Sequence, residues 1–503
     1  MTTQAALIAS IKEQTLLAEI TALSGWDALT GMPKDAGHFR ADIDAYLAEK
    51  TFQVATGAKR QQLLADFKQD ASGLDAFGQL IFAKAQKDFD VTGKLPEKDY
   101  IDFQRTLSEA QDFWAQAREA NDYTIFQPYV EKIIAYLKQF IPLWQTNEAT
   151  PYDVLLNQYE PGLNVAKLDA VFDELKAGIM ALRTQLQTDG TTPDSHFLSR
   201  RITKDQQKAY ALAASQRLGY DLNKGRLDDT IHPFMEALNR DDARITTRWD
   251  EHNFQMAVLG IFHEAGHGLF EQNVAAKYDD VRAVMPISMS IHESQSLFNE
   301  VMIGRSKAFW QAEYPKMQAT FAPTFDDITF ETFYRGWIKT EATLIRTEAD
   351  PLTYPLHIII RYEIEKAIFN DNVPVADLPQ LWRDKYQEYL GLTVPDDLTG
   401  ILQDIHWAGG SFGYFPSYAL GHLYAAQFMA TMKKTLDFDQ IYASGDYTPI
   451  FAWRREHIWQ HGGAVDPGEI LVTVTGEALN PKYWLDVMQQ LYATAYQLPH
   501  ARG

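Results

Sequence analysis

From Met256 to Phe270 the chain would form a helix that is apolar almost all the way round. Such a helix has no solvent face and must be buried inside a larger body. Its polar residues, His263, Glu264 and His267, must find partners there, because a buried polar group without one is costly.

The period of the surrounding sequence is helical as well. Val130, Ile133, Ile134, Leu137 and Ile141 form one apolar stripe, and Leu168, Val171, Phe172, Leu175, Ile179, Leu182 and Leu186 form a longer one. Strand-like runs are scarce: Arg244 to Trp249 is one, and Leu471 to Thr475, ending at Gly476, is another. Asn480 before Pro481 predicts the start of a C-terminal helix, and Thr188 to Ser195 predicts a loop. The expectation is a mainly α fold with a small β-sheet. It forms a single domain over residues 1–503, with a two-lobed arrangement as the alternative.

Composition narrows the chemistry. The 503 residues include no cysteine, so disulfides, thiolate nucleophiles and sulfur-ligated metals are excluded. Any metal must bind through His, Asp or Glu. With 46 Lys and Arg against 67 Asp and Glu the formal charge is −21, which repels phosphate backbones and anionic lipid. Neither nucleic acid nor membrane is expected as a partner. The N-terminus has no basic stretch ahead of its short apolar run, so the expected compartment is cytoplasmic.

His263 and His267, four residues apart, stack on one helical face where both can reach one metal ion, with Glu264 beside them. This is the H-E-x-x-H pattern of zinc hydrolases. A third ligand is needed to leave one position open for water. Glu293, in His292-Glu293-Ser294-Gln295 at the start of another apolar-periodic helix, supplies it. The rival reading of Glu264-x-x-His267 as half of a di-iron site needs a second Glu-x-x-His, and none exists. His457 and His461 have metal spacing but an isoleucine where the base would stand, so they are expected to pack rather than catalyse.

Three further motifs occur in the chain: His232-Pro233-Phe234, Asp242-Ala243-Arg244-Ile245-Thr246, and Gly400-Ile401-Leu402-Gln403-Asp404-Ile405-His406-Trp407. With the two above, all in the same order, the sequence resembles the carboxypeptidase Taq family of metallocarboxypeptidases. Similar stretches lie at Trp26-Asp27 with Met32-Pro33, at Tyr159 to Gly162 and at Leu356 to Glu363, so the resemblance spans nearly the whole chain. It implies a helical peptidase fold around a deep active-site groove, a cytoplasmic homodimer, and removal of single residues from peptide C-termini with broad tolerance.

The chemistry of such a site can be assigned residue by residue. One divalent ion, zinc with cobalt or manganese as alternatives, would be held by His263, His267 and Glu293, with Glu264 as general base. His406, Tyr414 and Tyr418 are the candidate donors to the oxyanion. Peptide substrates with a free C-terminus require a fixed cation, for which Arg361 is preferred, with Arg244, Asp242 and Thr246 shaping the closed end of the groove. Asp404, His292 and Gln295 are candidates to orient the imidazoles. An oligopeptidase or dipeptidyl carboxypeptidase on the same scaffold is the alternative, and a non-catalytic helical scaffold the remote one.

Overall fold

The computed structural model describes residues 3–499. Among them are twenty α-helices and a single three-stranded sheet. The apolar segment is the helix Phe254–Gln272, here the histidine helix, started by Asn253, whose side chain accepts from the Met256 amide. Fourteen of its nineteen residues are buried. Both predicted stripes are helices, Gln127–Trp144 and Val165–Asp189, and their stripe residues Ile133 and Leu175 are fully buried.

The sheet consists of β1 (Leu227–Asp229), β2 (Met235–Asn239) and β3 (Asp242–Thr247), in the order β1-β3-β2. The central strand pairs parallel with β1, Leu227 opposite Ile245, and antiparallel with β2, Met235 opposite Ile245. Ala243, Ile245 and Thr247 are buried, and Ile245 approaches Gly268 of the histidine helix. The expected strand at Arg244–Trp249 is therefore present and lies against the metal-motif helix. The strand expected at Leu471–Thr475 is instead the end of a helix, Pro467–Thr475. A proline at its first position and Gly476 in the left-handed conformation at its end outweigh the β-branched residues between. The final helix begins at Lys482, where the Asn480 side chain accepts from the Lys482 amide, and the 190–195 loop is tied to it by a Thr191 N–H to Tyr496 carbonyl bond.

Two more helices complete the centre. The glutamate helix, Met289–Leu297, continues into a π-helical turn over Phe298–Ile303, and the tyrosine helix, Pro416–Met432, packs along it. Glycine permits both close approaches. A Cβ on Gly266 would lie 2.4 Å from the Gln295 carbonyl oxygen, and one on Gly421 would lie 2.6 Å from Cγ of Glu293. Glu160 joins the same elements: buried, its carboxylate accepts from Ser288 and Ser290 at the start of the glutamate helix and from Ser417 in the tyrosine helix.

Because the atoms facing Gly266 are backbone and cannot swing away, Gly266→Ala is expected to cost about 1–3 kcal/mol, read as a lower denaturant midpoint. Gly260→Ala is the matched control. Its Cβ would meet only Thr247 Oγ1 at 4.0 Å, so the helix-forming gain of alanine should leave stability unchanged or higher.

Candidate active site

The histidine helix presents His263 and His267 to Glu293 from across the glycine contact. His263 Nε2 lies 3.6 Å from Glu293 Oε1, and His267 Nε2 lies 3.6 Å from Oε2. The rings stand 4.9 Å apart and nearly perpendicular. These N···O separations are too long for hydrogen bonds. They are close to the spacing, about 3.4 Å, of two donors each about 2.1 Å from a tetrahedral ion. Two Nε2 atoms and a carboxylate converging in this way fit a divalent cation, and among the described residues this is the His/Asp/Glu group that does so. His457 and His461 fall on separate elements, and His457 stacks on Trp453.

The remaining ring nitrogens are held. His263 Nδ1 donates to Glu300 Oε2 at 2.8 Å. His267 Nδ1 meets His292 Nδ1 at 2.5 Å, His292 Nε2 meets Glu271 Oε1 at 3.1 Å, and Arg282 donates to Glu271 Oε2 at 3.0 Å. With His267 donating first, every proton along this chain is placed and His267 Nε2 keeps its lone pair facing Glu293. His292 thus takes the orienting role expected of it, whereas Gln295 does not touch an imidazole. Its Oε1 accepts from Arg454 and Trp459. Glu300, not anticipated from sequence, belongs to the π-helical turn.

Three carboxylates surround the histidine pair. Burial, with Glu293 and Glu300 alongside, pushes the Glu264 carboxyl up to about 7 against the pull of His263. Burial disfavours protonation of His263, but Glu293, Glu300 and Glu264 outweigh it and raise that imidazole to about 10. Burial and the neighbouring His292 and His263 push His267 well down. The field of this group is one that attracts a cation.

Beside the glutamate helix, His406 Nε2 pairs with Tyr418 Oη at 3.1 Å, and the Tyr414 and Tyr418 rings meet edge to face at 5.2 Å. Burial lowers His406 to about 4, so its imidazole is neutral, and burial raises both tyrosines, so their protons are retained. Asp404 does not orient a ligand histidine. Its Oδ1 accepts from Arg346 Nε at 2.9 Å and Nη2 at 2.8 Å, and its Oδ2 from Arg361 Nε at 2.7 Å.

The expectation for Arg361 needs correction. Its side chain is fully buried, bonded to Asp404, the His357 carbonyl, Tyr386 and Gln403, and packed over the Trp382 ring at 4.4 Å. No face remains for a substrate carboxylate. Arg346, which the sequence does not reveal because its short 3-10 turn has no periodicity, is the better placed cation. It lies over the Tyr418 ring at 5.0 Å, donates to Tyr354 Oη at 2.7 Å, and its charge acts on Glu293. Three of its five N–H donors are engaged in these bonds, which leaves two.

Arg244 forms a two-pronged pair with Asp242, at 2.7 and 2.8 Å, and its guanidinium lies over Trp26. Trp26 also packs on Phe234, 5.3 Å between rings, while Thr246 Oγ1 accepts from the Phe234 amide and donates to its carbonyl. Three motifs distant in sequence thus form one cluster. Among the described residues no contact joins it to the imidazoles.

Glu300→Gln should retain the fold but lower metal affinity about 10- to 100-fold in chelator competition, since the ligand imidazole loses its anionic partner. Asp404→Asn should instead destabilise the protein by about 3–5 kcal/mol in denaturant melts, because it leaves two buried guanidinium groups without a counterion.

The comparisons with known proteins agree with this geometry. Residues 6–492 match the family described as carboxypeptidase Taq (M32) metallopeptidase. The chain is 42% identical over 489 residues to "Carboxypeptidase 1" of Bacillus subtilis, covering 97% of each chain. It is 34% identical over 496 residues to "Thermostable carboxypeptidase 1" of Thermus thermophilus, covering 96% of this chain and 97% of that one. The crystal structure of an M32 carboxypeptidase from Deinococcus radiodurans R1 superposes with a TM-score of 0.94 at 33% identity, covering 98% of this chain and 99% of the other. A metal-fitting His/His/Glu group on an H-E-x-x-H helix, within a fold shared along its whole length, makes this chain a metal-dependent carboxypeptidase belonging to the carboxypeptidase Taq (M32) family.

Proposed function

We propose that the protein uses zinc, with cobalt or manganese as alternatives, and removes residues one at a time from peptides with a free C-terminus, with broad side-chain tolerance. The observation that carries this reading is Arg346, a nearly buried cation with two uncommitted N–H groups, whose charge reaches the metal-ligand carboxylate. An overall charge of −21 would repel the anionic end of a peptide, so recognition depends on a local cation of this kind.

His263, His267 and Glu293 would hold a divalent ion, which when bound would polarise the scissile carbonyl and acidify a water. Glu264 accepts the proton of the attacking water and delivers it to the leaving amine. Tyr414, Tyr418 and His406 offer neutral donors to the oxygen on which negative charge develops. Arg346 receives the terminal carboxylate. Arg361 and Asp404 hold Arg346 from behind, and Arg244, Asp242 and Thr246 shape the end of the groove. A family match from 6 to 492 supports reading the chain as one metallocarboxypeptidase domain, and the family resemblance supports a cytoplasmic homodimer. No helix among the described residues is long and apolar enough to cross a membrane.

The test is mass-spectrometric sequencing of products from an N-acetylated peptide of about ten residues, with free and amidated C-termini, with and without chelator. Single-residue steps from the free C-terminus alone, stopped by chelator, are expected. Glu264→Gln should keep its metal and lose about 10²–10⁴ in kcat. Arg346→Gln should raise KM about 10- to 100-fold and erase the preference for the free carboxylate. Two-residue steps, or cuts that ignore amidation, would overturn the arginine assignment in favour of a dipeptidyl carboxypeptidase or an oligopeptidase.

A further inference from the structure

A cavity of about 1210 Å³ lies beyond Glu300 on the far side of the π-helical turn, lined by Val301 and Met302 of that turn and the residues after it, the C-terminal half of the tyrosine helix, the start of the helix Lys307–Thr320 and the final helix. Met429, on its wall, is eight residues beyond Gly421, which faces Glu293, or about 12 Å along the tyrosine helix.

Arg305 lines this cavity with only 7% of its surface exposed. Its side chain makes one hydrogen bond among the described residues, from Nη1 to the Trp337 carbonyl at 3.4 Å, and its buried Nε has no partner. No carboxylate lies within ion-pair distance of it among the described residues. Its charge acts on buried Glu300 without a direct ion pair, so the guanidinium is under-satisfied in hydrogen bonds, its Nε above all.

Two further features converge on the same space. The helix Lys307–Thr320 opens onto the cavity through Lys307 and Ala308, and the amides of these two residues have no acceptor among the described hydrogen bonds. Its dipole therefore adds positive potential there. Lys433, at the cavity mouth, has no ion pair among the described residues, whereas Lys307 is committed to Glu331. Of the acids at the rim, Asp437 caps its own helix through the Gln440 amide, and Asp439 acts on Lys433.

We propose that this cavity is an anion-binding site, distinct from the catalytic centre, for a small molecule bearing carboxylate or phosphoryl oxygens. Arg305 grips the anion by its planar fork, the first-turn amides of the helix after Ser306 donate to it, and Lys433 holds it from the solvent side.

The test is isothermal titration of the metal-loaded protein with inorganic phosphate and, separately, with succinate, at fixed ionic strength with chloride as control. Saturable binding is expected in one or both arms, and the arm that binds identifies the ligand class. Lys433→Met should weaken binding about fivefold, and Arg305→Gln should abolish it. If Arg305→Gln fails to fold, Lys433→Met carries the test, with phosphate soaked into crystals locating the anion. Failure of both anions to bind, heats no larger than chloride gives, or an affinity unchanged by Lys433→Met would overturn the proposal, the last by placing the anion at the metal centre.

Discussion

Two imidazoles and three carboxylates crowd into one largely buried space, and the structure around them follows from keeping those charges matched. His263, His267, Glu264, Glu293 and Glu300 would each be costly alone in such surroundings. Together they form a compact group whose excess negative charge is relieved by a cation. The convergence requires backbones closer than ordinary side chains allow, which is why Gly266 faces the Gln295 carbonyl and Gly421 faces Glu293. It also requires two carboxylates from one continuous helical stretch to meet the same ring. Glu293 approaches His263 from Nε2 and Glu300 from Nδ1, the second from within a π-helical turn. A turn of that kind, rare in helices generally, re-aims side chains at sites of function.

What is legible in the sequence is local. The helix carrying His263 and His267 and the stripes at 130–141 and 168–186 follow from spacing along one element, and Glu293 is suggested by the third ligand that the pair lacks. Glu300 escapes such a reading because no motif residue is left asking for it and the π turn moves it off the α-helical register. The strand expected at 471–475 does not form because β-branched residues describe a preference, whereas Pro467 and Gly476 fix backbone angles. The arginines show the same limit more sharply. Arg361 sits in a family-like stretch and Arg346 has no pattern around it. Only the fold shows that Arg361 is consumed by four partners and Arg346 keeps two donors.

The Gly400 to Trp407 loop explains how such a limit coexists with a strong sequence signature. Its polar residues reach into several elements at once. Gln403 Oε1 accepts from the Arg346 amide and from Arg361, and its Nε2 donates to the Leu344 carbonyl. Asp404 divides its two oxygens between the same two arginines, His406 reaches Tyr418, and the Trp407 indole donates to Glu365, which also holds Tyr152 and the Gly413 amide. A loop whose neighbouring side chains each satisfy a separate buried group cannot tolerate exchange at any one position without leaving a donor or acceptor orphaned. That requirement produces a recognisable string of residues while concealing the partners. The same arrangement makes Asp404 serve two ends at once: it neutralises Arg361, which anchors the loop, and it fixes the guanidinium of Arg346. Stability and, on the proposed role of Arg346, carboxylate recognition therefore depend on one buried aspartate, and its substitution would disturb both.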